Sequence, residues 1–171
     1  MFGPSLHWVA GVDPGRLALM ARPQGGEWLA DDIAALRRAG VDSLVSLLEP
    51  AEVRELDLRD EPSLCERHGI VFRSFPIPDR KTPASASDLS RLLSELQAEL
   101  LDGRSVAIHC RAGIGRTGLV AGCLLHRLQV PYKDIFPLLS RARGVAVPDT
   151  AAQVEWVERF VRTRAGANTN A

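Results

Sequence analysis

The chain has 171 residues, of which 46% are hydrophobic and 25% charged, and its 21 basic residues balance its 21 acidic ones. That is ordinary for a globular protein and long enough for one domain with a real core. Neutrality excludes a global pull toward nucleic acid or a membrane surface, so any attraction for an anion is local. Three cysteines are too few for a disulfide scaffold and lack zinc-ligand spacing. The N-terminus lacks a basic stretch followed by an apolar one, and no apolar run approaches the ~20 residues of a membrane span. The expectation is a cytoplasmic, reducing setting without nucleic-acid or membrane partners.

Leu6 to Ala10 reads as a first strand or arm, and Asp13-Pro14-Gly15 as a turn before a short strand, Leu17 to Met20. Residues 27–39 predict a helix. Leu29, Ile33 and Leu36 fall at helical spacing, acidic residues come early and basic ones late, and Gly40 ends it. Val41 to Leu48 reads as a core strand. Charged helical pieces follow over 51–58 and 62–68, the second ended by Gly69. Ile70 to Phe75 is a strand interrupted by Arg73. Residues 76–83 hold three prolines, which exclude helix and central strand. Thr82 or Ser85 caps a helix whose Leu89, Leu92, Leu93, Leu96 and Leu100 make a broad apolar stripe, ended by Asp102-Gly103. Val106 to Ile108 is a short buried strand, and an apolar-rich helix runs from Thr117 to Leu128. Residues 131–143 predict a helix whose regular part Pro137 confines to the later turns. Val147 to Thr150 is a turn and cap, with Asp149 as the cap. Residues 151–164 predict a last amphipathic helix, and 165–171 a frayed tail. Together these predict one α/β domain over 1–164, with a central, mostly parallel twisted sheet and helices on both faces.

The chemistry concentrates between the strand ending near His109 and the helix from Thr117. Gly113, Gly115 and Gly118 allow a tight turn there. Such a loop points successive N–H groups into its own hollow and ends at a helix N-terminus, and both features favour a bound phosphate. Cys110 and Arg116 bracket the loop with five residues between them. The donors that hold an oxyanion also hold a thiolate, so the Cys110 pKa should fall below the free value of about 8.5. A thiolate can attack phosphorus directly. Arg116 offers a planar fork of donors to two phosphoryl oxygens. Thr117 can place a hydroxyl near the sulfur and ease its departure in a second step.

His109-Cys110-Arg111-Ala112-Gly113-Ile114-Gly115-Arg116-Thr117-Gly118 resembles the His-Cys-x5-Arg-Ser/Thr signature of the protein tyrosine phosphatase superfamily. The short chain and its flanking segments resemble the dual-specificity branch in a compact bacterial-type form. The resemblance implies a metal-free and cofactor-free phosphomonoester hydrolase with a cysteinyl-phosphate intermediate. Arg111, Ala112, Gly113, Ile114, Gly115 and Arg116 would bind the phosphoryl group, so that loop 110–116 holds a phosphate or other oxyanion. Phe75-Pro76-Ile77-Pro78-Asp79 is similar to the branch's general-acid loop, which makes Asp79, 31 residues before Cys110, the proton donor. The alternative for Asp79 is a solvated loop residue. Pro148 to Gln153 is similar to the water-positioning glutamine region, so Gln153 either orients water or is an exposed helical glutamine. His109 would be a buried, hydrogen-bonded residue that shapes the loop and tunes Cys110.

The branch accepts phosphotyrosine as well as phosphoserine and phosphothreonine on proteins. Phosphoinositide relatives often carry lysines where Ala112 and Ile114 stand, although Arg111, Arg73, Arg80 and Lys81 could supply charge. A phosphatase of inositol phosphates or another small metabolite is one rival, and a phosphate-binding pseudophosphatase is another. Intact Cys110, Arg116 and Asp79 argue against the second. Cys123 reads as core. Either it or Cys65 could instead trap an oxidised Cys110 as a disulfide.

Overall fold

Five strands set the frame of the molecule. In the computed structural model, which describes residues 3–167, they are β1 (His7–Trp8), β2 (Arg16–Met20), β3 (Ser43–Ser46), β4 (Val71–Ser74) and β5 (Ser105–His109). They lie in the order β1-β2-β5-β3-β4. Only the β1–β2 pair is antiparallel; the other three pairings are parallel. The buried strands β2, β3 and β5 are the short apolar runs that a covered parallel sheet requires. β4 sits at the edge and is partly exposed.

Strand alternation sorts the core into two layers. Leu17, Leu19, Val45, Val106 and Ile108 face α4 (Ala86–Leu101), α5 (Gly115–Arg127), α6 (Tyr132–Arg143) and α7 (Ala151–Ala167). Ala18, Met20, Leu44 and Ala107 face α1 (Leu29–Arg38) and α3 (Glu61–Arg67), with the short α2 (Pro50–Glu55) at the end of the sheet. The expected α/β sheet with helices on both faces is the architecture observed. The α4 stripe is core as read: Leu89, Leu93 and Leu96 are fully buried. Ser85, rather than Thr82, caps that helix, its Oγ accepting from the Asp88 N–H at 3.1 Å.

Several boundaries differ from the sequence reading. The strand read over 41–48 is regular only over Ser43–Ser46, although the Leu47 N–H still donates to the His109 carbonyl at 2.9 Å. The first turn of the 27–39 helix is a 3-10 turn, Gly26–Trp28. α6 begins at Tyr132 and continues unbroken through Pro137. One backbone hydrogen bond is lost there, and burial of Ile135 and Leu139 outweighs it. α7 continues to Ala167, and the rest of the expected tail, 168–171, lies outside the described residues.

Arg73 interrupts β4 in sequence but has a place in the fold. It bonds Glu99 of α4 at 2.6 Å and Glu95 at 2.9 Å, and the Ser43 hydroxyl donates to Glu99. That network fastens the edge strand to α4.

Candidate active site

The loops that leave the C-terminal ends of β3, β4 and β5 converge on one hollow, where open parallel sheets place their ligands. The loop after β5 supplies Cys110, Arg116 and Thr117, the one after β4 supplies Ile77 and Asp79, and the one after β3 leads into α2 with Glu52. The hollow is a cavity of about 220 Å³ lined by Asp79, Cys110, Ala112, Ile114, Arg116 and Gln153.

The Cys110 loop is held with its donors turned inward. The Gly113 N–H points at Cys110 Sγ, 3.3 Å away. The carbonyls of Arg111, Ala112 and Gly113 point outward. The Arg22 N–H takes the first at 3.2 Å, and the Arg143 guanidinium takes the other two at 3.0 and 3.2 Å. Gly113 has φ +70°, and a Cβ there would stand 2.3 Å from the Met20 carbonyl group, so only glycine fits. The loop ends where α5 begins, which brings the helix N-terminus to the site.

Cys110 is only 3% exposed. Burial alone would push its thiol up. The Thr117 hydroxyl and amide, the Ile114 amide and the Arg116 charge outweigh it, and the net direction is down. The Thr117 hydroxyl is buried and has no hydrogen-bond partner of regular geometry, so its effect is directed at the sulfur.

Arg116 is buried and fixed. Its Nη1 and Nη2 donate to the two Glu52 carboxylate oxygens at 2.6 and 3.0 Å, and Nη1 also donates to the Ile77 carbonyl at 2.9 Å. Burial alone would raise the Glu52 carboxyl. Bonds from Arg116, the Glu49 amide and Arg111 reverse this and bring it down to about 2. Asp79 Oδ1 stands 3.0 Å from Arg116 Nη2 although the Asp79 side chain is 58% exposed, so it is a paired loop residue and not simply a solvated one.

Gln153 is fully buried, which removes the exposed-glutamine alternative. Its Oε1 accepts from the Thr150 N–H at 3.2 Å and its Nε2 donates to the Lys81 carbonyl at 3.2 Å. It therefore ties α7 to the Asp79 loop. Thr150 caps α7, since its hydroxyl accepts from the Gln153 N–H. Asp149, read as the cap, instead pairs with Arg80 at 2.9 Å and adds a second tie to the same loop.

His109 is fully buried beneath the loop, with Nε2 2.9 Å from Glu61 and Nδ1 3.2 Å from the Cys110 carbonyl. The Arg111 side chain is held by Glu52 and Glu55. Of the four cations read as possible charge for an inositol ligand, Arg111, Arg73 and Arg80 are spent on carboxylates. Cys65 belongs to the core layer on the other face of the sheet from Cys110, and burial pushes its thiol up to about 12. Cys123 lies about two turns up α5 from the loop, in the core. None of the three cysteines is in a disulfide. Glu52, Glu61 and Arg143 escaped the sequence reading. The signal for Glu52 was the Glu49-Pro50-Ala51-Glu52 capping box, in which the Glu49 and Glu52 carboxylates and amides satisfy one another.

A buried cysteine and a locked arginine on one strand–loop–helix, beside the Asp79 loop from a neighbouring strand, are the arrangement of a protein tyrosine phosphatase-type domain of the dual-specificity branch. The chain belongs to the family described as polymorphic toxin system, DSP-PTPase phosphatase, whose model matches residues 18–129. Among curated proteins it is 29% identical over 131 residues to cyclin-dependent kinase inhibitor 3 of Rattus norvegicus, covering 75% of this chain and 61% of that protein. A shorter segment of 68 residues, 39% of this chain, is 37% identical to tyrosine-protein phosphatase non-receptor type 7 of Mus musculus and covers 18% of it. Its fold matches a crystal structure of kinase associated phosphatase with TM-score 0.87 at 23% identity, covering 96% of this chain and 98% of that one. It also matches the active form of Tk-PTP with TM-score 0.73 at 25% identity, covering 90% and 96%. Among the described residues no helix is long and apolar enough to cross a membrane.

Proposed function

We propose that this chain, as one domain over 1–164, is a cysteine-dependent phosphatase of phosphotyrosine, and of phosphoserine and phosphothreonine, on proteins. The observation that carries the reading is a buried Cys110 thiol drawn toward its anion within a ring of backbone donors, facing the Arg116 guanidinium. Cys110 attacks phosphorus while the loop amides from Arg111 to Arg116 and the Arg116 side chain bind the equatorial oxygens. A phosphoryl oxygen takes the place of Asp79 at Arg116 Nη2, and Asp79 turns to protonate the leaving oxygen. Water then attacks the cysteinyl-phosphate, Asp79 takes its proton, and Thr117 donates to the departing sulfur. The one Gln153 amide hydrogen not engaged with Lys81 is available to hold that water. A cytoplasmic, reducing setting would keep Cys110 reduced.

The test is hydrolysis of para-nitrophenyl phosphate and of phosphotyrosine, phosphoserine and phosphothreonine peptides in EDTA. Turnover is expected in the wild type and a loss of at least roughly 1,000-fold in Cys110→Ser, with circular dichroism unchanged. Residual turnover comparable to wild type in that variant would refute the assignment. Hydrolysis of soluble inositol phosphates or phosphoinositides in preference to every peptide would redirect the substrate class.

A further inference from the structure

Beneath the catalytic loop lies a charge that no step above uses. His109 ends β5, and alternation sends its side chain to the face of Ala107, away from α5. There its Nε2 meets Oε1 of Glu61, the first residue of α3, at 2.9 Å, and the two side chains are 0% and 1% exposed. Its Nδ1 stands 3.2 Å from the carbonyl oxygen of Cys110. A carbonyl oxygen only accepts, so Nδ1 carries a hydrogen. An ionised carboxylate also only accepts, so Nε2 carries one too.

The same contacts could hold a neutral ring against a protonated Glu61, and the surroundings decide between them. Burial favours the neutral ring. The Glu61 charge and hydrogen bond, the Cys110 carbonyl and the charge on Cys110 outweigh it, so the imidazole is raised above its ordinary value. α3 presents the Cys65 thiol, which stays neutral. β3 places Ser46 beside His109 in register, and β2 places Met20 there; neither titrates. Arg54 and Arg59 line a cavity with Glu61.

We propose that Glu61 is a positioning residue for the nucleophile: it holds His109 as an imidazolium against the Cys110 carbonyl, and that buried positive charge helps keep the sulfur anionic. Glu61 lies 49 residues from Cys110, outside the signature. The proposal rests on the reading of Cys110 as a thiolate nucleophile. Removing the carboxylate releases the imidazolium proton, and the cation lost is nearer the sulfur than the anion lost.

The experiment is the pH dependence of Cys110 alkylation by iodoacetamide in the full chain, for wild type and Glu61→Gln, with Cys110→Ser as the blank for Cys65 and Cys123. In Glu61→Gln the midpoint is expected to rise by about one pH unit, so that alkylation on the acid side of both midpoints slows roughly tenfold. The acid limb of kcat/KM should rise in parallel, with KM little changed. A folded Glu61→Gln whose midpoint is unmoved or lower overturns the proposal. Should that variant not fold, the ¹⁵N shifts of His109 in the unaltered protein decide: both nitrogens protonated at pH 7.5 supports it, and a neutral ring overturns it. Alkylation needs no turnover. A chain that alkylates as expected yet hydrolyses no phosphate ester sinks the phosphatase reading alone, and an active enzyme with an unmoved midpoint sinks only this one.

Discussion

Glu52 shows how one carboxylate can serve stability and chemistry together. It receives both nitrogens of Arg116, the Glu49 amide and Arg111, and is almost wholly buried. Breaking a buried pair leaves the remaining charge without compensation, so Glu52→Gln should cost roughly 3–5 kcal/mol by denaturant unfolding at pH 7. It should also lower kcat more than it raises KM, because Arg116 would lose the direction needed as the phosphoryl group flattens. The carboxyl is depressed from 4.5 to about 2 in the fold. Its stabilisation is therefore complete above about pH 4.5 and lost as pH falls toward 2. Wild type should lose stability over that window, and Glu52→Gln should show a flatter profile there. Cys110, Arg116, His109, Asp79 and Gln153 were legible because a loop motif or a fixed loop order marks them. Glu52, Glu61 and Arg143 were not, because each arrives from another element and no spacing rule connects it to Cys110. Arg111 illustrates the converse: its place in the motif was legible, and its pairing with Glu52 and Glu55 was not.

Among the elements, the loop before α5 tolerates little change. Gly113→Ala should abolish turnover, since its Cβ would meet the Met20 backbone at 2.3 Å in a residue already at φ +70°. Gly115→Ala would meet Gln153 Oε1 and Asp149 Cβ at 3.0 Å, both side-chain atoms that can yield a little, and should retain partial activity in the same assay. α4 tests the opposite case, an element remote from the chemistry. Ser85→Ala removes its cap and should cost about 1 kcal/mol, lowering Tm by roughly 2–4 °C with kcat unchanged. The periodic stripes of α1 and α4 were readable because one face of each is buried. Where α1 begins was not, because its first turn tightens to a 3-10 turn. The course of α6 through Pro137 was also not readable, because packing of Ile135 and Leu139 decides it rather than local propensity.

At the scale of the whole molecule, the sheet separates two cores, and the site depends on both. Leu93 is fully buried on the α4 side and is not among the residues that line the hollow. Leu93→Ala should therefore cost about 2–5 kcal/mol in denaturant unfolding, with KM for para-nitrophenyl phosphate unchanged at 25 °C. The sequence by itself determined the alternation of apolar strands and amphipathic helices, hence the α/β class, and the Cys-x5-Arg loop, hence the proposed nucleophile and its arginine. Both are local: periodicity and loop spacing are properties of neighbouring residues. Only the tertiary structure decided that Glu52 holds Arg116, that Glu61 holds His109, and that Gln153 and Asp149 tie the Asp79 loop to α7. Those partners are tens of residues apart, and what brings each pair together is the strand order and the burial that desolvates it, neither of which is written in any one stretch of chain.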